Sequence, residues 1–551
     1  MRKILTLIAG TLITGNLLAG GLVTNTNQSA AWVRMPSRNA STQIDAVYYN
    51  PAGLMKMENG FHFGLNNQTI SQSRTITSTY PYLNSNEYKG TVFAPFFPSI
   101  YAAFKMNKFA VSLGFMPIGG GGGATYETGL PSFEMGISDL VPMLSNPPTD
   151  YDATAYDVDI FFEGSSLFLG YQGAISYKIN DFISIAAGAR YVTAKNTYTG
   201  HLQDVMVTMG GNDVSISEYF LGIASNLTSF IGVPTLLAPA LPTYGGLTLA
   251  QAQAGGILNA TQRAGIEAGL TGAIGLSQAA VDAMTLNQVS GTITGATPAI
   301  TPQIAKANAT GTLTADKTAD VTQTGSGIAP FFSVNISPME NLNIAIKYEM
   351  ATKLELVNET KQDLLIGYTA TGTPITQFPD GEKFRNDMPA TLTIGAELKL
   401  DKIKIAAGGN YYFDKSADYG HKWDHDLSGL TPTVYIDNSE IIKNNGLALH
   451  CAAELGLGDK MLVSAGYAWA NLGVNKLYQS DLTFANATHT IGLGGAYNVN
   501  DKIRINIGGG YTMYIKDSKT VNHLLGETNV LPTESYTKKT MMLGIGLDLS
   551  F

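Results

Sequence analysis

From Asp501 onward, apolar and polar residues alternate one by one. Ile503, Ile505, Ile507, Tyr511, Met513 and Ile515 hold the odd positions, while Lys502, Arg504, Asn506, Gly508, Gly510 and Thr512 hold the even ones. The same period of two runs through Met541, Leu543, Ile545, Leu547, Leu549 and Phe551, through 447–457 and through 342–349. That period belongs to a strand with one apolar and one polar face. Strands in soluble domains average about 5–6 residues, yet these patterns persist for ten or more. Their apolar face carries almost no charge; the other face carries Lys, Arg, Glu and His. Lipid requires the first property and a barrel lumen tolerates the second, so the pattern predicts a transmembrane β-barrel.

A repeated interval fixes the height of that barrel. Asp181, Asp401, Asp459 and Asp501 each stand ten residues before an aromatic: Tyr191, Tyr411, Trp469 and Tyr511. Ten strand residues at about 3.3 Å each, tilted by about 40°, rise roughly 25 Å, the height of the apolar band of an outer-membrane barrel. The aspartates mark turns at one edge, and the aromatics form a girdle at the other, where an amphipathic ring prefers the headgroup level. The alternation predicts fourteen strands, at 59–71, 91–106, 108–118, 164–179, 182–198, 327–338, 341–356, 388–400, 402–415, 446–458, 460–470, 485–499, 502–516 and 538–551. Short Asn/Asp/Gly turns alternate with long connections, which suits periplasmic turns and external loops. Closure removes the unpaired edges that lipid cannot satisfy. The expected fold class is all-β: a 14-stranded antiparallel transmembrane β-barrel, spanning 58–551.

Two segments fall outside the alternation. The connection at 199–326 is rich in Ala, Gly, Thr and Leu and reads as short helices broken by glycines. An apolar loop that cannot span must pack on something; it is either a surface lid or adhesive loop, or the wall of an apolar groove. The segment 20–57 has no strand period. Fourteen strands enclose a wide lumen, so 20–57 is expected to be a hatch that plugs it.

Composition narrows the setting. Met1-Arg2-Lys3 followed by an apolar run reads as a signal peptide, 1–19, so the mature chain is expected to be exported and, with its barrel pattern, to sit in a bacterial outer membrane. Cys451 is the only cysteine, so no intramolecular disulfide exists. Charged residues are 14% of the chain and the net charge is −9, which excludes a basic nucleic-acid-binding surface. No chemistry of an enzyme stands out and no cofactor is implied. His421 and His425 with flanking acids lie in an external loop without helical support, so no metal is assigned there. Gly119–Gly123 lacks the Lys-Ser/Thr of a phosphate loop. His450 and Glu454 face the lumen four residues apart, the one arrangement on which an enzyme role could rest. By parity Arg190 also faces the lumen.

"DAVYYNPAGL", Asp45–Leu54, sits just before the first strand. With "GGLVTNTNQSA" from Gly20, "NDMPATLTIGAEL" from Asn386 and the terminal Phe551, it resembles the FadL-type outer-membrane transporters of long-chain fatty acids and aromatic hydrocarbons. The resemblance implies that Asn50, Pro51 and Ala52 close the hatch and that Leu22 lies at its tip. It implies passive uptake of hydrophobic small molecules by a barrel in contact with outer-membrane lipid, acting as a monomer, with sideways exit at a kink in strand three. Gly114 and Pro117 are the candidate kink residues, although Pro117 could equally just end that strand. It also points to Lys195 and Lys443, beside Arg190, as cations for an acidic ligand; on parity Lys195 points outward unless a bulge intervenes. The alternative role is a surface barrel that adheres to host or neighbour cells through 199–326.

Overall fold

The computed structural model describes residues 24–145, 152–368, 374–419, 441–476, 479–525 and 528–551. The expected leader 1–19, Leu22 and the stretch 421–426 lie outside them. Fourteen long strands are β1 (Gly60–Ser78), β2 (Glu87–Met106), β3 (Phe109–Tyr126), β4 (Ala153–Lys178), β5 (Ile183–Met209), β6 (Lys317–Met339), β7 (Leu342–Glu349), β8 (Thr391–Leu400), β9 (Ile403–Tyr412), β10 (Gly446–Leu457), β11 (Met461–Asn471), β12 (Thr488–Asn500), β13 (Ile503–Tyr514) and β14 (Thr533–Ser550). Each pairs antiparallel with its neighbours, and β14 pairs with β1 from Ser550↔His62 to Glu534↔Ser78, which closes the barrel. Asn107 and Asp401 sit in tight turns at φ 53° and 48°, a geometry that Asn and Asp tolerate better than other side chains.

Register confirms the faces. Tyr511 lies between Ile491 and Met541, and Tyr191 between Tyr171 and Ile328; all six are exposed on the outer wall. Their inward neighbours, Thr512 and Arg190, are buried. Trp469 shares the outer face with Leu449 but is half-buried.

Several strands run further outward than the alternation predicts. β4 has 26 residues and β5 has 27, well past the ten that cross the membrane. β1, β3, β6 and β14 are extended in the same direction. Above the lipid the outer face meets water, so Asp157, Asp159, Glu163, Thr197 and Thr199 replace the apolar residues and the periodic signal vanishes. The 199–326 connection accordingly shrinks to a helical segment. Helix α1 (Ile216–Ile231) opens it and helix α2 (Leu286–Leu313) closes it. Phe230, Val233, Leu249, Ile266, Val289 and Ile293 bury against one another there, so the apolar residues of this segment form a core of their own.

A second core roofs the barrel mouth. Leu130, Phe133, Ile137 and Leu144 pack with Ile76, Phe220, Phe484 and Tyr536. The Glu134 carboxylate accepts the Tyr88 hydroxyl at 2.5 Å and that of Tyr156, and Asp139 accepts Tyr80 and contacts His523 Nε2 at 2.9 Å.

Candidate functional site: a hatch, a cavity and a breach in the wall

Residues 29–57 fill the lower lumen. Two short helices, 30–34 and 46–49, and a 3₁₀ turn at 51–56 carry the hatch. The lumen-facing glycines of β12–β14 exist because the first helix presses against the wall. A Cβ on Gly508 would stand 2.6 Å from Arg34 N, and one on Gly494 2.7 Å from Arg34 Cβ.

Buried charge anchors this segment. Arg34, fully buried, donates to Glu454 Oε2 at 2.6 Å and to Ser464 Oγ at 2.9 Å; Lys404 reaches Glu454 Oε1 at 3.1 Å. Arg38 forks onto Asp45 through Nε and Nη2, both at 2.8 Å, and Ser41 and Ser29 donate to the same carboxylate. Burial by itself would raise the Asp45 carboxyl, but the Arg38 guanidinium outweighs it and holds that carboxyl below its ordinary value. A depressed carboxyl stabilises the seated hatch at every pH above about 3.9, its value when released, and the contribution fades only as pH falls further. Protonation of Asp45 is therefore expected to raise conductance in planar bilayers only below about pH 3.9.

Asn50, Pro51 and Ala52 lie where three strands offer hydroxyls. Asn50 Nδ2 donates to Asn335 Oδ1 at 2.7 Å, and Ala52 N to Ser333 Oγ at 3.0 Å. Ser176 Oγ donates to the Pro51 carbonyl and Ser184 Oγ to that of Ala52, both at 2.8 Å. Arg190 belongs to the same plug: it donates to Gln172 and Glu349 and stacks 5.0 Å over Tyr48. His450 contacts Asn39 at 3.0 Å and Ser37 at 2.9 Å. Both His450 and Glu454 thus hold the hatch.

Above the hatch lies a cavity of about 380 Å³. Trp32, Val92, Ala94, Phe97, Phe162 and Phe484 give it apolar surface, and Thr24–Asn27 contribute to its floor. The cations on its wall are Arg74 and Lys538; Arg190, Lys195 and Lys443 do not line it. Lys195 stands exposed on the outer face of β5, paired with Leu167 and Thr324, and Lys443 is exposed in the loop before β10. Lys538 has the parity of an inward residue at the start of the last predicted strand. Arg74 lies in the outward extension of β1, three residues past the predicted end of that strand, where no periodic signal marks it.

The cavity adjoins a gap in the barrel. β2 and β3 pair from Met106↔Phe109 to Ile100↔Phe115, and then only at Thr91↔Thr125. Between these, 92–99 and 116–124 share no ladder, while β3 remains paired to β4 with register slips at Pro117/Gly119 and Gly119/Gly122. Gly120 at φ +92° bends the strand, and a Cβ there would meet Ser166 O at 2.3 Å. Gly114 lies below the break in an intact ladder, where it admits Val47 of the hatch. Phe93 and Phe96 stand exposed at the rim. The freed carbonyls of β3 turn inward to a strap, 24–28. Asn25 N donates to Ile118 O at 2.8 Å, Asn25 Nδ2 to Gly120 O at 3.3 Å and Gln28 Nε2 to Pro117 O at 2.7 Å; Thr24 bridges Gly119.

No protein-family model and no curated protein matches the sequence. Solved structures do match in shape. A FadL homologue from Pseudomonas aeruginosa superposes with a TM-score of 0.55 at 13% identity, over 97% of this chain and 100% of that one. The TodX deltaS2S3 mutant, described as a monoaromatic hydrocarbon channel, gives 0.50 at 12% identity, over 96% and 100%. At such identities the likeness is one of fold.

Proposed function

We propose that this chain, a hatch-filled barrel with the fold of the FadL homologue, carries hydrophobic small molecules passively across an outer membrane and releases them sideways. The supporting observation is that the cavity and the breach share residues: Val92, Ala94, Phe97, Gly120 and Ala124 line the one and lie along the other. A solute enters beneath the roof of external loops and settles in the cavity. Each buried methylene contributes about 0.8 kcal/mol, enough in sum to draw a chain or ring from water. The charged anchor of 29–57 blocks the way down. The strap at 24–28 is held by neutral hydrogen bonds alone, so its displacement breaks no buried ion pair, and it uncovers the breach. Sideways exit keeps the apolar solute out of water. The barrel acts as a monomer, as a transporter and not an enzyme: the His450/Glu454 pair in its lumen holds the hatch.

Purified protein in liposomes tests this. Labelled alkanoates and monoaromatics should partition into protein-bearing vesicles faster than into empty ones; equal rates across a broad apolar panel would count against the proposal.

The separate core of the helical segment favours a second role, adhesion to other cells. Replacing 228–303 by a short Gly-Ser turn keeps the ends of α1 and α2 that pack on the barrel roof. The shortened barrel is expected to keep its heat-modifiable migration in gels and its uptake, because the excised core is its own. Loss of cell binding with uptake intact would establish adhesion as well.

A further inference from the structure

The cavity wall formed by β12, β13, β14 and β1 is polar at eight consecutive cross-strand positions. One row runs Thr490, Thr512, Thr540, Gln72, each the register partner of the next. The row above it runs Thr488, Tyr514, Lys538, Arg74: Thr488 pairs with Tyr514, Lys538 pairs with Arg74, and Lys538 lies 5.8 Å over the Tyr514 ring. All eight line the cavity. With strands about 4.8 Å apart and levels about 7 Å apart, the patch measures roughly 14 by 7 Å. One level down, Gly492, Gly510, Met542 and Ile70 end it abruptly.

Two features set this patch apart from ordinary lumen polarity. First, Arg74 and Lys538 are directly opposite each other. Like charges at such positions repel; Arg74 Nε donates to Gln72 Oε1 at 2.9 Å, a neutral partner, and an anion between the two cations reverses the sign. An ammonium has three donors; Lys538 gives one to the Phe484 carbonyl at 2.6 Å, so it can serve a ligand as well. Second, the polar groups form a sheet-wide strip and not a point. Thr490 and Thr512 hydroxyls meet at 2.8 Å, and Gln72 reaches Thr540 at 2.8 Å. Each hydroxyl still has acceptor capacity. Across the cavity Val92, Ala94 and Phe97 of β2, with Phe162 and Trp32, offer apolar surface, and the polar groups Tyr126, Ser165, Ser166 and Tyr198 lie beyond them on β3–β5.

We infer that the solute is a facially amphipathic organic anion: a ring-containing carboxylate with hydroxyl groups along one face and hydrocarbon on the other. A plain hydrocarbon uses none of this wall, and a straight-chain acid uses only its end. The acid group lies between Arg74 and Lys538, the hydroxyls lie along the threonine row, and the apolar face lies toward β2 and the breach. The inference rests on the uptake function proposed above and narrows its substrate.

Equilibrium dialysis of the full chain in detergent micelles tests it, with three labelled probes: cholate, its unhydroxylated parent cholanate, and palmitate. Toluene uptake serves as an independent check. Cholate is expected to bind about tenfold more tightly than cholanate, since an unmet buried polar wall penalises the ligand that lacks its partners. Thr512→Val with Thr540→Val should remove that preference, weakening cholate and tightening cholanate as the unmet hydroxyls disappear. Arg74→Gln with Lys538→Gln should weaken all three acids by a larger factor than it changes toluene uptake. Equal binding of cholate and cholanate to the unaltered chain overturns the inference, as does a double valine variant that keeps the preference. Palmitate or toluene handled without cholate overturns it too but leaves the transport function standing. Failure of every probe, toluene included, would remove both.

Discussion

Asp45→Ala is expected to turn a plugged barrel into a leaky one. Arg38 is 1% exposed and lies in the middle of the hatch, with its charge balanced by Asp45. Removing one partner of a buried ion pair costs about 3–5 kcal/mol, because the other charge is left uncompensated. That shifts the ratio of seated to released hatch by roughly 10²–10⁴. The barrel itself should survive, since its fourteen ladders do not depend on the hatch. Single-channel recording should therefore show open events that the unaltered protein lacks, with heat-modifiable migration retained. Arg38→Met with Asp45→Leu supplies the sharper comparison. Replacing both charges by apolar groups of similar size is often neutral or better, so the double variant should leak less than Asp45→Ala alone. A double variant as leaky as the single would mean that Asp45 matters for its serine contacts and not for its charge balance.

The barrel was legible in the sequence because lipid imposes a rule on every second residue. Tyr191, Tyr411 and Tyr511 stand on the outer wall as their ten-residue spacing implied, and all the short turns fall at Asn, Asp or Gly. Outside the bilayer that rule lapses. β4 begins at Ala153 and not near 164, because Asp157, Asp159 and Glu163 face water and carry no periodic mark. The cavity was harder to read for the same reason. Arg190, the cation that parity placed in the lumen, does face inward, but Glu349 and Gln172 engage it against the hatch. Arg74 reaches the cavity from a stretch that alternation had already abandoned. Function here is placed at the level where strand periodicity fades, between the lipid and the external roof.

The breach makes the second strong prediction, and it concerns which part of the N-terminal segment moves. From Arg34 to Asp45 the hatch is held by charge: Arg34 to Glu454, Arg38 to Asp45, with Lys347 donating to the Tyr48 carbonyl at 2.8 Å. From Thr24 to Gln28 it is held by neutral hydrogen bonds alone, to Pro117, Ile118 and Gly120 of β3 and to Tyr48, Tyr49, Gln68, Ser99 and Tyr101, each worth about 0.5–1.5 kcal/mol net. The strap's departure strands no buried charge, unlike that of the segment below it, and frees the β3 carbonyls at the gap. Thr24 and Gly119 are antiparallel bridge partners, so their Cα atoms are about 4.5–5.5 Å apart, inside the range a disulfide spans. In a Cys451→Ser background, Thr24→Cys with Gly119→Cys should form a cross-link that ties the strap across the breach. Oxidised protein is expected to lose uptake of apolar solutes by about tenfold or more, the cost of one tied gate exceeding 1.4 kcal/mol. A reductant should restore it, and each single cysteine variant should behave like the Cys451→Ser parent in either redox state. Undiminished uptake by the cross-linked barrel would show that the strap does not gate the path, and the route out would have to be sought elsewhere in the wall.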